Sequence, residues 1–282
     1  MDTTVLVLIT FLAATVNGAL GYGFSSITVP VALLFYTNKI LNPALVLIEL
    51  VINAYVLFIN RKSIPNVFWR VAPILGGLAV GVGIGSYLLF LVQPAWIKFV
   101  TYLFLLPLIL LQAAGIRKPI RAEKAIGVPF GVGLGTLYSL TTISGPPLAL
   151  LFNNQGYPKQ DFRAALWIIR LTESSLTAIA YGFIGFYSAG SMEIIPYIVP
   201  SVMIGIPLGT YLIRLMDPET FRRICMAFDG LIVGFGLSRV LVELHLASTL
   251  TTYSILSIVV LINGYLLFRF FRDRGDPRQI PS

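Results

Sequence analysis

Pro30-Val31-Ala32-Leu33-Leu34-Phe35 returns as Pro147-Leu148-Ala149-Leu150-Leu151-Phe152, 117 positions later. Gly85-Ser86-Tyr87-Leu88 returns as Gly209-Thr210-Tyr211-Leu212, and Pro94 as Pro218, 124 positions later. The order is kept and the offset drifts only slightly, which is the mark of a duplicated unit. In a very apolar chain, duplicated units whose hydrophobic stretches are broken by proline and glycine point to a membrane transporter.

The apolar character is decisive. The chain is 57% hydrophobic and only 11% charged, against about 25% charge in an average soluble domain. A soluble fold of 282 residues could not hide so much apolar surface, so lipid must be the solvent for most of it. The net charge of +8 does not indicate nucleic acid. Lys and Arg cluster in short loops: Arg61, Lys62 and Arg70; Arg117, Lys118, Arg121 and Lys124; Arg222 and Arg223; Arg269, Arg272, Arg274 and Arg278. That is the pattern of the positive-inside rule, with acidic headgroups as the partner. The single cysteine, Cys225, excludes an intramolecular disulfide and a cysteine metal cluster. The N-terminus has no basic region or small-residue cleavage site, so its apolar segment is expected to remain in the mature protein. His245 reads as a loop residue, and no cofactor is expected.

Nine apolar segments can be read, at about 3–36, 42–60, 67–92, 95–115, 123–152, 161–187, 192–216, 219–243 and 249–271. The repeat aligns segments one to four with five to eight and leaves segment nine over. This divides the chain into a first unit (1–116), a second unit (117–243), an additional transmembrane helix (244–272) and a polar tail (273–282). Segment two matches six through Ala44-Leu45 over Ala165-Leu166; segment three matches seven through Gly81/Gly85 and Gly205/Gly209. The drifting offset predicts short insertions in the second unit, at loops such as 153–159.

Orientation tests this layout. If all nine segments cross and the basic C-terminal tail is cytoplasmic, the basic loops at Arg61-Lys62 and 117–124 fall outside, against the rule. The conflict disappears if segments one and five enter and leave on the same side. Both are too long for one span and too short for two. Both carry breakers: Gly18, Gly21, Gly23 and Pro30 in one; Gly131, Gly133, Gly135, Gly145, Pro146 and Pro147 in the other. The expected fold is therefore all-α and integral to the membrane. It has two inverted repeats, each a re-entrant broken-helix hairpin plus three transmembrane helices, and one extra C-terminal transmembrane helix. The protein is expected in the cell membrane as a multi-pass chain, with its C-terminus cytoplasmic.

In such a fold the hairpin tips meet near the midplane, where unwound backbone must bond protein, water or substrate. The first tip carries Asn17, Gly21, Gly23, Ser25, Ser26 and Thr28; the second carries Ser139, Thr141, Thr142, Ser144 and Gly145. Proline favours the first helical position and Ser or Thr the cap before it, so Ser144-Gly145-Pro146 reads as a helix start. The two repeated prolines are read as entrances to paired half-helices. A helix N-terminus offers free N–H groups and partial positive charge, which suits an anion. The plainer alternative is that Ser and Thr only cap helices and Gly only allows close packing.

Arg170 lies about nine residues into segment six, roughly 13 Å deep in a 30 Å core. An arginine there is costly and usually functional. Its repeat counterpart is Glu49. Two readings stand: anion binding or gating by Arg170, and a buried ion pair of Arg170 with Glu173 or Glu49. Glu49 and Glu173 are candidates for gating or proton coupling. Asn53, Asn153, Asn154, Gln155 and Asp229 could line a path. No Gly-x-x-x-x-Gly-Lys-Ser/Thr loop is present, so transport must be secondary or passive.

The glycine-rich break in segments one and five, the proline motif after each, and the run Thr142-Ile143-Ser144-Gly145-Pro146-Pro147 through Asn153-Asn154-Gln155-Gly156 and Asp161-Phe162-Arg163-Ala164 resemble the TauE/SafE sulfite-exporter-like family of membrane permeases. The resemblance covers about residues 3–271. It implies movement of small sulfur-containing anions such as sulfite, sulfoacetate or thiosulfate. One departure stands out. The family's run of consecutive glycines is here Gly21-Tyr22-Gly23-Phe24-Ser25-Ser26, and Tyr22 and Phe24 would change the pocket.

These readings converge on a secondary transporter of a small anion, with substrate expected at Asn17, Gly23, Ser25, Ser26, Thr28, Thr141, Thr142, Ser144, Gly145 and Arg170. The expected partners are that anion, the bilayer, a coupling ion such as a proton, and a second copy of the chain. The rivals are a transporter of an unrelated solute and an integral membrane lipid-phosphate hydrolase.

Overall fold

The computed structural model describes residues 2–59, 64–114, 123–154, 159–212, 215 and 218–274. The loop residues Arg61, Lys62, Arg117, Lys118 and Arg121, together with Gln155 and the tail from 275 onward, lie outside them, as do the side chains of Asn153, Asn154, Arg163 and Asp229. The described residues form helices and no strand: α1 (Asp2–Leu20), α2 (Phe24–Ala32), α3 (Asn38–Ile59), α4 (Ile64–Leu91), α5 (Pro94–Ala114), α6 (Glu123–Thr141), α7 (Gly145–Asn154), α8 (Lys159–Ile184), α9 (Ala189–Leu212), α10 (Pro218–Glu243) and α11 (Thr249–Arg274).

Helices α1, α3, α4, α5, α9 and α11 each hold a stretch long and apolar enough to cross a membrane. Helices α8 and α10 are longer than most, at 26 residues each, but carry charges along their length. Large apolar side chains point outward on several helices, among them Trp69, Phe183, Met203, Leu250 and Leu261. Exposed apolar surface on this scale is what lipid contact requires. His245 lies in the turn after α10.

The packing treats the two units alike. Helix α1 lies along α9 and α4 along α6; α3 packs on α8 and α5 on α10; α2 packs on α10 and α7 on α5. Exchanging the units swaps α1–α9 with α4–α6 and α2–α10 with α5–α7, and maps α3–α8 and α5–α10 onto themselves. The long helices meet through small residues. A Cβ on Gly81 would strike the backbone of Val132, and one on Gly209 the backbone of Thr15. Close backbone approach lets side-chain hydroxyls bridge helices: Thr136 Oγ1 donates to the Gly81 carbonyl at 3.1 Å, and Thr210 Oγ1 to the Gly18 carbonyl at 3.2 Å. Along α1 and α9 the contacts advance together, from Val7 with Ser201 to Gly18 with Thr210, so this pair is parallel. The counterparts α3 and α8 run antiparallel. Asn42 near the start of α3 lies beside Tyr181 near the end of α8, while Asn53 further along α3 donates to the carbonyl of Arg170, earlier in α8.

Three expectations need correction. Gly18, Gly131, Gly133 and Gly135 do not break anything; they lie inside the continuous helices α1 and α6, and most serve helix contact. The broken segments are unequal arms, 19 residues then 9 in the first and 19 then 10 in the second. The long arm reaches about 28 Å and the short arm about 14 Å at 1.5 Å per residue. The breaks themselves, residues 21–23 and 142–144, are 121 positions apart. So are the starts of α3 and α8 at Asn38 and Lys159. One offset therefore runs from the first break into the next helix, and no insertion is needed at 153–159. The proline motif at offset 117 is displaced from this register by four residues, about one helical turn. As a result Pro147 falls in the first turn of α7 as expected, but Pro30 lies near the end of α2 and is not its entrance. A shift of one turn keeps a side chain on the same helix face, which is why the motif survives the displacement.

Candidate functional site

Each long arm ends on a left-handed residue. Gly21 has φ 84 and Thr142 φ 57, and both are 121-register counterparts. Each amide turns back to the preceding helix, Gly21 N–H to the Asn17 carbonyl at 2.8 Å and Thr142 N–H to the Tyr138 carbonyl at 2.5 Å. Such αL caps end a helix sharply. The short helices then start at Phe24, after Gly23 in a left-handed conformation, and at Gly145. The two starts touch: a Cβ on Gly145 would lie 3.4 Å from Tyr22 Cβ and 3.6 Å from Ser26 Oγ.

Around this meeting point the buried polar side chains form one network. Glu49 on α3 is its hub. Its Oε1 accepts from Ser25 Oγ at 2.6 Å and from Arg170 Nη2 at 2.8 Å, and its Oε2 accepts from Tyr138 OH at 2.8 Å. Arg170 also reaches Asn17 Oδ1 at 3.5 Å and lies 5.4 Å from the Trp167 ring centre. Its Nε has no hydrogen-bond partner among the described residues. One turn on, Glu173 Oε2 accepts from Ser144 Oγ at 2.6 Å, while its Oε1 has no partner among the described residues. Asn53 bridges the Arg170 carbonyl at 3.1 Å and Ser174 Oγ at 3.3 Å. Arg170, Glu49 and Glu173 are 3%, 1% and 0% exposed, so a solute can reach them only after the helices move.

The structure thus gathers Asn17, Ser25, Ser144, Arg170, Glu49 and Glu173 in one network, with Gly23, Ser26 and Gly145 at its helix starts. Arg170 takes the ion-pair partner that the repeat suggested, Glu49. Thr28 lies buried in α2 with its hydroxyl unpartnered among the described residues. Thr141 and Thr142 use their hydroxyls on the break itself. Thr141 Oγ1 donates to the Leu137 carbonyl at 2.7 Å and accepts from Ile143 N–H at 3.1 Å, and Thr142 Oγ1 donates to the Thr141 carbonyl at 2.6 Å. They fit the plainer reading, that of capping.

Tyr138 and Trp167 are absent from the residues expected from sequence. The 121 register points to the first. Asn17 and Tyr138 are counterparts, as are Arg170 and Glu49, and each of the former bonds the latter across units. Asn53 and Ser174, which bond each other, are counterparts too. A cavity of about 380 Å³ lies elsewhere, between α10 and α11, lined by residues including Ser238, Arg239, Glu243 and Thr252. Among the described residues no group of three or more His, Cys, Asp or Glu is placed to hold a metal.

What the central network offers chemically is a buried set of donors: one guanidinium whose Nε edge has no partner among the described residues, hydroxyls, and two helix starts. No curated protein and no solved structure matches the chain. A family model does: Sulfite exporter TauE/SafE, over residues 6–237. That match spans most of the 282 residues and includes every residue of the network, and the chain belongs to the Sulfite exporter TauE/SafE family.

Proposed function

We propose that this protein is a secondary transporter of a small anion, a sulfite, thiosulfate or organosulfonate, bound where α2 and α7 begin. The observation that carries the reading is the convergence of two helix N-termini on a buried arginine whose Nε edge has no partner among the described residues. Each N-terminus contributes unsatisfied N–H groups and roughly half a positive charge. At a buried site such fixed donors replace an anion's hydration shell. The family description, sulfite export, supports the choice of anion.

Two inverted repeats with re-entrant first segments account for the access cycle. The antiparallel course of α3 and α8 supports the inversion, since these helices are counterparts. The N-terminus is then outside, and the C-terminus lies in the cytoplasm with the basic tail. Rocking of one unit against the other opens the network to each side in turn.

Counterflow in liposomes of the full chain tests the substrate, with labelled sulfite, thiosulfate, sulfoacetate, phosphate and a neutral solute. Saturable exchange of the sulfur anions is expected. Exchange of the neutral solute alone would refute the reading. After Cys225→Ser, single cysteines at Arg61 and Gly190 test the inversion: impermeant reagent should label them from opposite sides.

A further inference from the structure

The two carboxylates of the network are not equivalent. Glu49 has three donors, one of them cationic, on its two oxygens. That set of donors compensates a buried carboxylate on both oxygens. Glu173 is fully buried, holds a single hydroxyl donor, and has one oxygen with no partner among the described residues. The titratable groups around it are Arg170 one turn back on α8, Glu49 on α3, Tyr138 on α6, and Tyr22 at the first break against Gly145. Of these only Arg170 is a cation, and it is bonded to Glu49.

Charge counting then limits what can bind. Arg170 and Glu49 cancel. The starts of α2 and α7 supply roughly one positive charge together. With Glu173 ionised the network is neutral and holds no attraction for an anion. With Glu173 protonated it carries about one positive charge, which a monovalent anion neutralises. Protonation also turns the unpartnered oxygen from an acceptor into a donor. An anion beside Arg170 Nε would otherwise meet the lone pairs of a carboxylate one helical turn away.

Resting on the anion-transport reading above, we propose that Glu173 is the proton-coupling group. One proton from the entry side binds its carboxylate, travels with the anion, and is released on the exit side, while Glu49 stays ionised as the fixed counter-ion of Arg170. Proton and anion move in the same direction, so a monovalent anion crosses without net charge. By linkage, a proton that promotes anion binding makes anion affinity rise as pH falls.

The test uses the full chain in liposomes and methanesulfonate, a monovalent anion that stays ionised across the pH range. A methanesulfonate gradient should drive proton entry, read with a trapped pH dye, and the half-saturating concentration should rise by up to about tenfold per pH unit on the alkaline side. In Glu173→Gln, proton entry should vanish and counterflow should lose its pH dependence; Glu173→Asp should keep both. Wild-type counterflow without proton entry overturns the inference and leaves anion transport standing, and proton entry that persists in Glu173→Gln does the same. Absence of all anion counterflow in the wild type overturns the transport reading and this inference together. The wild-type dye measurement decides even if the glutamine variant does not fold.

Discussion

At residues 21–23 the chain leaves α1 through Gly21 and enters α2 through Gly23; at 142–144 it leaves α6 through Thr142 and enters α7 through Ser144. Both breaks end the long arm on a left-handed residue, but the residue before the short helix is left-handed only in the first, at Gly23 and not at Ser144, and the chemistry differs as well. The first break uses glycine for its left-handed residues, and the serine that meets a carboxylate, Ser25, lies inside α2. The second holds a β-branched residue in the left-handed region and places Ser144 just ahead of α7, against Glu173. Duplication therefore preserved the shape of the site, while divergence gave one side a fully partnered carboxylate and the other a half-partnered one. A symmetric cradle with asymmetric charge can respond to one proton; two identical sides would compete for it.

The largest way to break this comparison is Arg170→Ala. It leaves Glu49 buried and ionised with only neutral donors, a loss of about 3–5 kcal/mol. Thermal unfolding in detergent should show a large drop, and Glu49→Gln in the same chain should recover much of it. An additive double variant would mean that the pair is not coupled. Next come the two serines. Ser25→Ala removes a bond to a charged carboxylate, about 1.5–3 kcal/mol, whereas Ser144→Ala should cost about 0.5–1.5 kcal/mol when Glu173 is protonated. Unfolding below neutral pH should show that order, and equal costs would place Glu173 on the same footing as Glu49. The last contrast, which includes the smallest gain, is at the left-handed residues. Gly21→Ala should lose about 1–2 kcal/mol by forcing a Cβ into that region, since the surrounding space is open, with Trp167 at 3.9 Å. Thr142→Gly should gain up to about 1 kcal/mol, because relief of strain outweighs the added freedom of the unfolded chain. Opposite signs in matched melting curves would sharpen the contrast; two losses would show that the Thr142 hydroxyl matters more than its φ.

Legibility from sequence followed how local each signal is. Hydropathy is additive along the chain, so the apolar helices and the lipid environment are readable from composition. The breaks were readable because a proline or glycine cluster acts on its own backbone. The equivalence of the breaks was misjudged by one turn, since a conserved face tolerates a four-residue shift and the proline motif therefore misreports register. With the 121 offset, Tyr138 follows from Asn17, and the bond between Asn53 and Ser174 joins counterparts. The glycines of α6 looked like breakers because a glycine that permits a turn and one that permits a neighbour are the same letter.

Amino-acid order alone determined the solvent, the duplication, the places where helices stop, and the presence of a buried arginine with carboxylates at helical spacing. These rest on transfer free energies and backbone sterics, which act within a few residues. Only the tertiary structure decided which carboxylate Arg170 holds, which oxygen of Glu173 has no partner among the described residues, and that the starts of α2 and α7 meet. Those depend on side chains 29 to more than a hundred positions apart being packed against one another, and at that range the position of a donor matters more than its identity.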